Sequence, residues 1–220
     1  MSKKNIVLCT APRCGSTWFL ETQVRQKHPE MLNHSEGLRT LGHGFEAFPI
    51  TDAQRKAKFK TIMREWNNPN QSNCVKVFPL MLTEARSPWR KRDFFPSLLN
   101  NTDQVYYLMR RNFPEQVMSS TVAFYKTQLG EVNFHGNWEE EFFMPDNFDT
   151  RKLLINCERQ MYSQNYQLLQ MWHNTETDVP TELLFLEDID QSGKYQRPVR
   201  WERPPVIEPV DWEPLFQREL

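Results

Sequence analysis

Ile6-Val7-Leu8-Cys9-Thr10-Ala11-Pro12-Arg13-Cys14-Gly15-Ser16-Thr17-Trp18 is the most informative stretch of the chain. Asn5–Thr10 is a short apolar run rich in β-branched side chains, the pattern of a strand buried on both faces. Pro12–Gly15 reads as a turn. A helix then opens at Ser16, with a hydroxyl near its N-cap and Trp18, Phe19, Leu20 and Val24 toward the core. Strand, tight turn and helix together aim backbone amides and a helix dipole at one point, which favours an anion. Arg13 adds a charged donor, Ser16 and Thr17 add hydroxyls, and Gly15 lets the backbone approach a ligand closely.

The rest of the chain repeats the alternation. Asp52–Trp66 has helical apolar spacing, and Cys74–Phe78 reads as a second strand stopped by Pro79. Gln104–Met109 reads as a third strand, followed by Arg110-Arg111-Asn112 and a helix with Pro114 in its first turn. Thr150–His173 is the longest helical pattern, with Leu154, Cys157, Met161, Leu168 and Trp172 on one face. Glu182–Leu186 is a fourth strand. Strands separated by helices predict an α/β fold: one domain with a central, mostly parallel sheet flanked by helices. Its N-terminal unit is the P-loop-like strand–loop–helix. Ligands of such sheets bind at the strands' carboxyl ends, where Ala11–Ser16, Pro79 and Arg110–Phe113 all fall. The domain is expected over residues 1–190. Residues 191–220, with five prolines plus Trp201 and Trp212, are expected to wrap it as an extension. Gly130–Asp149, acidic and aromatic, fits a lid or a long surface connection.

Composition narrows the classes. The net charge of -1 gives no global case for nucleic-acid binding. Residues 1–110 nevertheless hold 17 Lys+Arg against 9 Asp+Glu, while residues 111–220 hold 10 against 19. An anionic ligand should therefore draw its cationic contacts mostly from the first half. No apolar run reaches the ~20 residues of a membrane span. The core strand starts too early for a signal peptide, and the four cysteines are dispersed, so a cytoplasmic protein with reduced thiols is expected. Without Cys/His sets at ligand spacing, no metal is expected.

Several phosphate-loop chemistries fail on the letters. A nucleoside-triphosphate loop needs GxxxxGK[ST], and neither the first Gly nor the Lys is present. A cysteine phosphatase needs Cys, five residues, then Arg; Cys9 meets Gly15 there, and Cys14 meets Leu20.

Pro12-Arg13-Cys14-Gly15-Ser16-Thr17-Trp18 instead resembles the 5′-phosphosulfate loop of sulfotransferases, with Cys14 where Ser is usual. In that family a strand-end Arg and a Ser eight residues later hold a 3′-phosphate; Arg111 and Ser119 have that spacing, with Arg110 and Ser120 as the neighbouring alternatives. His28-Pro29-Glu30 through Glu36 is similar to the tyrosylprotein branch, where a Glu seven positions after the Pro is the catalytic base. Val75-Lys76-Val77-Phe78-Pro79 keeps the Lys and Pro of the cytosolic branch's motif but not its His. Leu186-Glu187-Asp188-Ile189 is similar to the family's Tyr-Glu-Asp-Leu without its Tyr.

The resemblance implies transfer of a sulfuryl group from 3′-phosphoadenosine 5′-phosphosulfate to a hydroxyl or amine, without a metal. It implies Glu36 as general base, with His34 and His43 behind it, and Lys76 and Arg13 as electrostatic stabilisers. It places the cofactor on Arg13, Cys14, Gly15, Ser16, Thr17, Trp18, Arg111 and Ser119. Lys194, Arg197 or Arg200 would replace the missing C-terminal basic motif. The acceptor is left open among small molecules, carbohydrates and peptides. The competing readings are a degenerate P-loop kinase and a nucleotide-binding module without turnover.

Overall fold

β1 (Asn5–Thr10) is buried at all six positions and is flanked by parallel strands on both sides. β3 (Asn73–Val77) lies on one side, with Lys76 opposite Leu8, and β4 (Gln104–Met109) on the other, with Tyr106 opposite Leu8. The two-residue β2 (Leu32–Asn33) extends the sheet beyond β3, and β6 (Thr181–Phe185) extends it beyond β4. The order is β2-β3-β1-β4-β6, with every pairing parallel, so the chain forms the expected helix-flanked α/β sheet. After β1 the chain fills one side of the sheet and then the other. That reversal puts the crevice at the carboxyl ends of β1 and its two neighbours.

The computed structural model describes residues 3–34, 52–79, 94–129, 143–175, 178–190, 200–203 and 205–217. α1 (Ser16–Phe19) continues without a break as a π-helical stretch, Leu20–Arg25, and buries Phe19, Leu20 and Val24. The Phe19 ring meets Tyr106 edge-on at 5.3 Å. α2 (Asp52–Trp66) ends on a fully buried Trp66, whose indole donates to the Leu98 carbonyl in α3 (Phe94–Leu99) at 3.1 Å. α4 (Phe113–Gln128) starts where the Asn112 side chain accepts from the Glu115 amide, with Pro114 in the first turn. α5 (Phe148–Asn174) starts at a capping box between Asn147 and Thr150 and buries Leu154, Cys157, Met161 and Leu168, as their spacing requires.

Two strand ends differ from expectation. β3 stops at Val77 rather than Phe78. Leu186 opens a short helix, α6 (Leu186–Ile189), instead of closing β6, and it turns inward to a fully buried position. A separate two-stranded pair, β5 (Phe143–Met144) with β7 (Arg200–Trp201), lies outside the main sheet.

The C-terminal residues lie against α4 and α5. Trp212 is buried between the rings of Phe113 and Tyr162, at 6.1 and 5.3 Å. Phe216 is buried beside Trp172, whose indole donates to the Phe216 carbonyl at 2.8 Å. Burying a side chain such as Phe216 contributes roughly 1.5–3 kcal/mol, so the segment is anchored by its aromatics.

The amino ends of the strands are tied by buried amides. The Asn73 side chain donates to Asn5 at 2.9 Å, and Asn5 donates to the Trp66 and Asn101 carbonyls. His34 joins this network at 2.8 Å from Asn73, with Glu65 3.6 Å from its other nitrogen.

Candidate functional site

The loop between β1 and α1 turns through two left-handed residues, Arg13 at φ 65° and Gly15 at φ 70°. For arginine that conformation costs about 1–3 kcal/mol and persists only when neighbours enforce it. The neighbours are visible. Gln116, fully buried in α4, donates to the Pro12 carbonyl at 2.8 Å, and Asn165 of α5 fixes Gln116 through a 2.8 Å bond. The Arg13 Nε donates to the Ser119 hydroxyl at 3.0 Å. A Cβ at Gly15 would lie 2.6 Å from the end of the Leu186 side chain, which would have to shift. The backbone sign is what calls for glycine here.

The turn delivers the start of α1, where the first amides have no intrahelical acceptor. Two cations flank it. Lys76, 8% exposed near the end of β3, donates to the Thr17 hydroxyl at 3.0 Å, with its ammonium 5.5 Å from the Phe78 ring centroid. Half-buried Arg13 lies on the other flank. Burial lowers its pKa to about 10, and the like charge of Arg110 adds to the shift. It therefore stays protonated at neutral pH, but in a setting that an added anion would relieve. Arg110 itself is buried and ion-paired with Glu115. The Cys14 thiol is pushed up to about 12, chiefly by burial, so it is neutral there. It accepts from Gln116 at 3.4 Å.

Arg111 leaves β4 in another direction. Its guanidinium lies over the Phe185 ring at 4.2 Å. It donates to Asp188 at 2.5 and 2.8 Å, and to Glu213 at 2.6 and 3.3 Å. The backbone amides of Arg111 and Asn112 both donate to the Glu187 carboxylate at 3.0 Å. Asp188 and then Glu213 raise the Arg111 pKa, and Arg111 holds both carboxyls below their usual range.

The expected residues therefore assemble in two groups. Arg13 with Ser119, and Lys76 with Thr17, meet around the loop that also holds Cys14, Gly15 and Ser16. Trp18 is half-buried on the first turn of α1. Ser119 is joined to Arg13 rather than to Arg111, while its neighbour Ser120 is buried. His34 is buried, bonded to Asn73 and 3.6 Å from Glu65, with its ring edge-on to Trp66. Glu36, His43, Lys194 and Arg197 lie outside the described residues, as do Gly130–Phe142 with the Glu139–Glu141 run. Nothing is described of the Arg200 side chain.

Three contributors have no place in the sequence motifs: Gln116, Asn165 and Glu213, whereas Glu187 belongs to the Leu186–Ile189 motif. Only Gln116 left a trace, as a polar residue beside apolar Phe113 and Val117 on the buried side of α4. A separate cleft lined by Lys3, Glu30, Asn70 and Gln71 lies at the opposite, amino-terminal end of the sheet. Among the described residues no group of three or more His, Cys, Asp or Glu is placed to hold a metal, and no helix is long and apolar enough to cross a membrane. No protein-family model matches the chain, and comparison with curated proteins finds no match.

Proposed function

We propose that this protein is a sulfotransferase that moves a sulfuryl group from 3′-phosphoadenosine 5′-phosphosulfate to a hydroxyl or amine of an acceptor. The observation that carries the reading is the pairing of Arg13 with Ser119 and of Lys76 with Thr17 around one glycine-containing turn. Two cations, two hydroxyls and a helix start at the carboxyl end of the central strand suit a phosphate-linked sulfate. The β1–loop–α1 unit is then a P-loop-like element without the triphosphate lysine. The strained backbone at Arg13 supports a functional role, since strain of this kind collects at ligand sites.

In this reading Gly15 and Cys14 contribute backbone, Ser16 and Thr17 contribute amides and hydroxyls, and Trp18 borders the site. The donor supplies the activated sulfuryl group. Glu36 takes the acceptor's proton as the acceptor oxygen or nitrogen bonds to sulfur. Lys76 and Arg13 neutralise the charge that builds on the phosphate as its bond to sulfur breaks. Arg111 holds the 3′-phosphate, while Ser119, expected beside it, stands with Arg13 at the loop. The buried free cysteines fit a reducing, cytoplasmic setting. Trp212 and Phe216 support a C-terminal extension that wraps the same domain.

The test is a calorimetric titration of the product nucleotide, 3′-phosphoadenosine 5′-phosphate, alongside adenosine 5′-phosphate. Arg111→Ala removes charge-assisted bonds to the 3′ group only and should weaken the first ligand by about 10- to 100-fold. The second should bind as before. Equal losses for both ligands would contradict the assignment.

A further inference from the structure

Arg111 already grips two carboxylates in the fold as it stands. Asp188 takes the edge formed by its two terminal nitrogens, with both bonds at or under 2.8 Å. Glu213 takes the edge formed by Nε and Nη2, with one bond of 2.6 Å and one of 3.3 Å. Both donor edges of the guanidinium fork are therefore engaged by oxygen anions, an arrangement that also suits a phosphate. The two acids reach it from different places. Asp188 lies in α6, just after β6, whereas Glu213 arrives from the C-terminal segment, 102 residues along the chain from Arg111.

We propose that Glu213 is an internal competitor for the anion site on Arg111: a nucleotide 3′-phosphate engages Arg111 by displacing the Glu213 carboxylate, so Glu213 sets the protein's affinity for 3′-phosphorylated nucleotides. The proposal rests on the sulfotransferase reading above. Glu213 yields before Asp188 because its grip includes the longest of the four bonds and its side chain is longer and more flexible. What moves is the side chain, not the segment. Trp212 and Phe216 on either side are 1% and 2% exposed, and the Trp172 and His173 rings hold the Phe216 and Leu215 carbonyls. The Glu213 side chain is 47% exposed. A solvent-exposed ion pair gives way more easily than two buried aromatics. The displaced carboxylate stays tethered beside the site, so its competition is intramolecular and does not dilute away.

The experiment compares the unaltered protein with Glu213→Gln, titrating 3′-phosphoadenosine 5′-phosphate and adenosine 5′-phosphate in parallel. Glu213→Gln should bind the 3′-phosphorylated ligand about two- to fivefold more tightly, with adenosine 5′-phosphate affinity unchanged. Glu213→Ala should shift affinity in the same direction. A strap with only a structural role would instead lower the melting temperature and the affinity together. If the unaltered protein binds the 3′-phosphorylated ligand and neither variant tightens it, the competitor is overturned and the sulfotransferase reading stands. If the unaltered protein does not bind it at all, both fall.

Discussion

Replacing Lys76 with methionine is expected to slow sulfuryl transfer by about 10²–10³-fold, the scale of losing one preorganised charge stabiliser. The same change should leave the melting temperature unchanged or raise it. Lys76 is 8% exposed between the buried Val75 and Val77, and its ammonium reaches the Thr17 hydroxyl. A buried cation is costly to desolvate, and apolar residues of similar volume often replace such groups without loss of stability. The lysine ammonium lies 5.5 Å from the Phe78 ring centroid, and a methionine sulfur near that ring would make a favourable contact. Opposite signs on stability and turnover are the mark of a residue kept for chemistry. Release of the product nucleotide from the donor measures the rate, and a thermal melt measures stability. A variant that loses both would make Lys76 a structural cation.

Glu36→Gln is expected to lower turnover by about 10²–10⁴-fold, the usual contribution of a positioned general base. Affinity for 3′-phosphoadenosine 5′-phosphate should stay the same, because the base acts on the acceptor. Buried and bonded to Asn73, His34 is poorly placed to substitute. Unchanged turnover in Glu36→Gln would move the base elsewhere, and His43 is then the next residue to change.

The parts of the fold that were legible are those with strong local pattern. Asn5–Thr10, Asp52–Trp66 and Gln104–Met109 form with the bounds their sequences suggest, because continuous apolar runs and helical spacing leave little choice of state. β2, β5 and β7 have two residues each, too few for any period to register. Leu186 continued an apolar strand run in sequence, yet tertiary context turns it onto Gly15 as the first residue of α6.

The site was legible in its residue types and less so in its pairings. The sequence puts Arg13 and Arg111 at the carboxyl ends of strands and Ser119 on the helix that follows, but spacing along a helix cannot say which arginine a serine meets. The left-handed turn at Arg13 decides it, and that turn depends on Gln116 and Asn165. Glu213 had no local signal at all, since its contact with Arg111 depends on where Trp212 and Phe216 find room to be buried.

The most direct test of the account is a melting-temperature shift with 3′-phosphoadenosine 5′-phosphate in a chelating buffer, compared with ATP plus magnesium. Ligand at about 100 times its Kd contributes ~2.7 kcal/mol, so the first condition should raise Tm by roughly 5–10 °C. ATP with magnesium should give little or no shift. A shift with ATP and magnesium alone, or none with the 3′-phosphorylated nucleotide, would contradict the account.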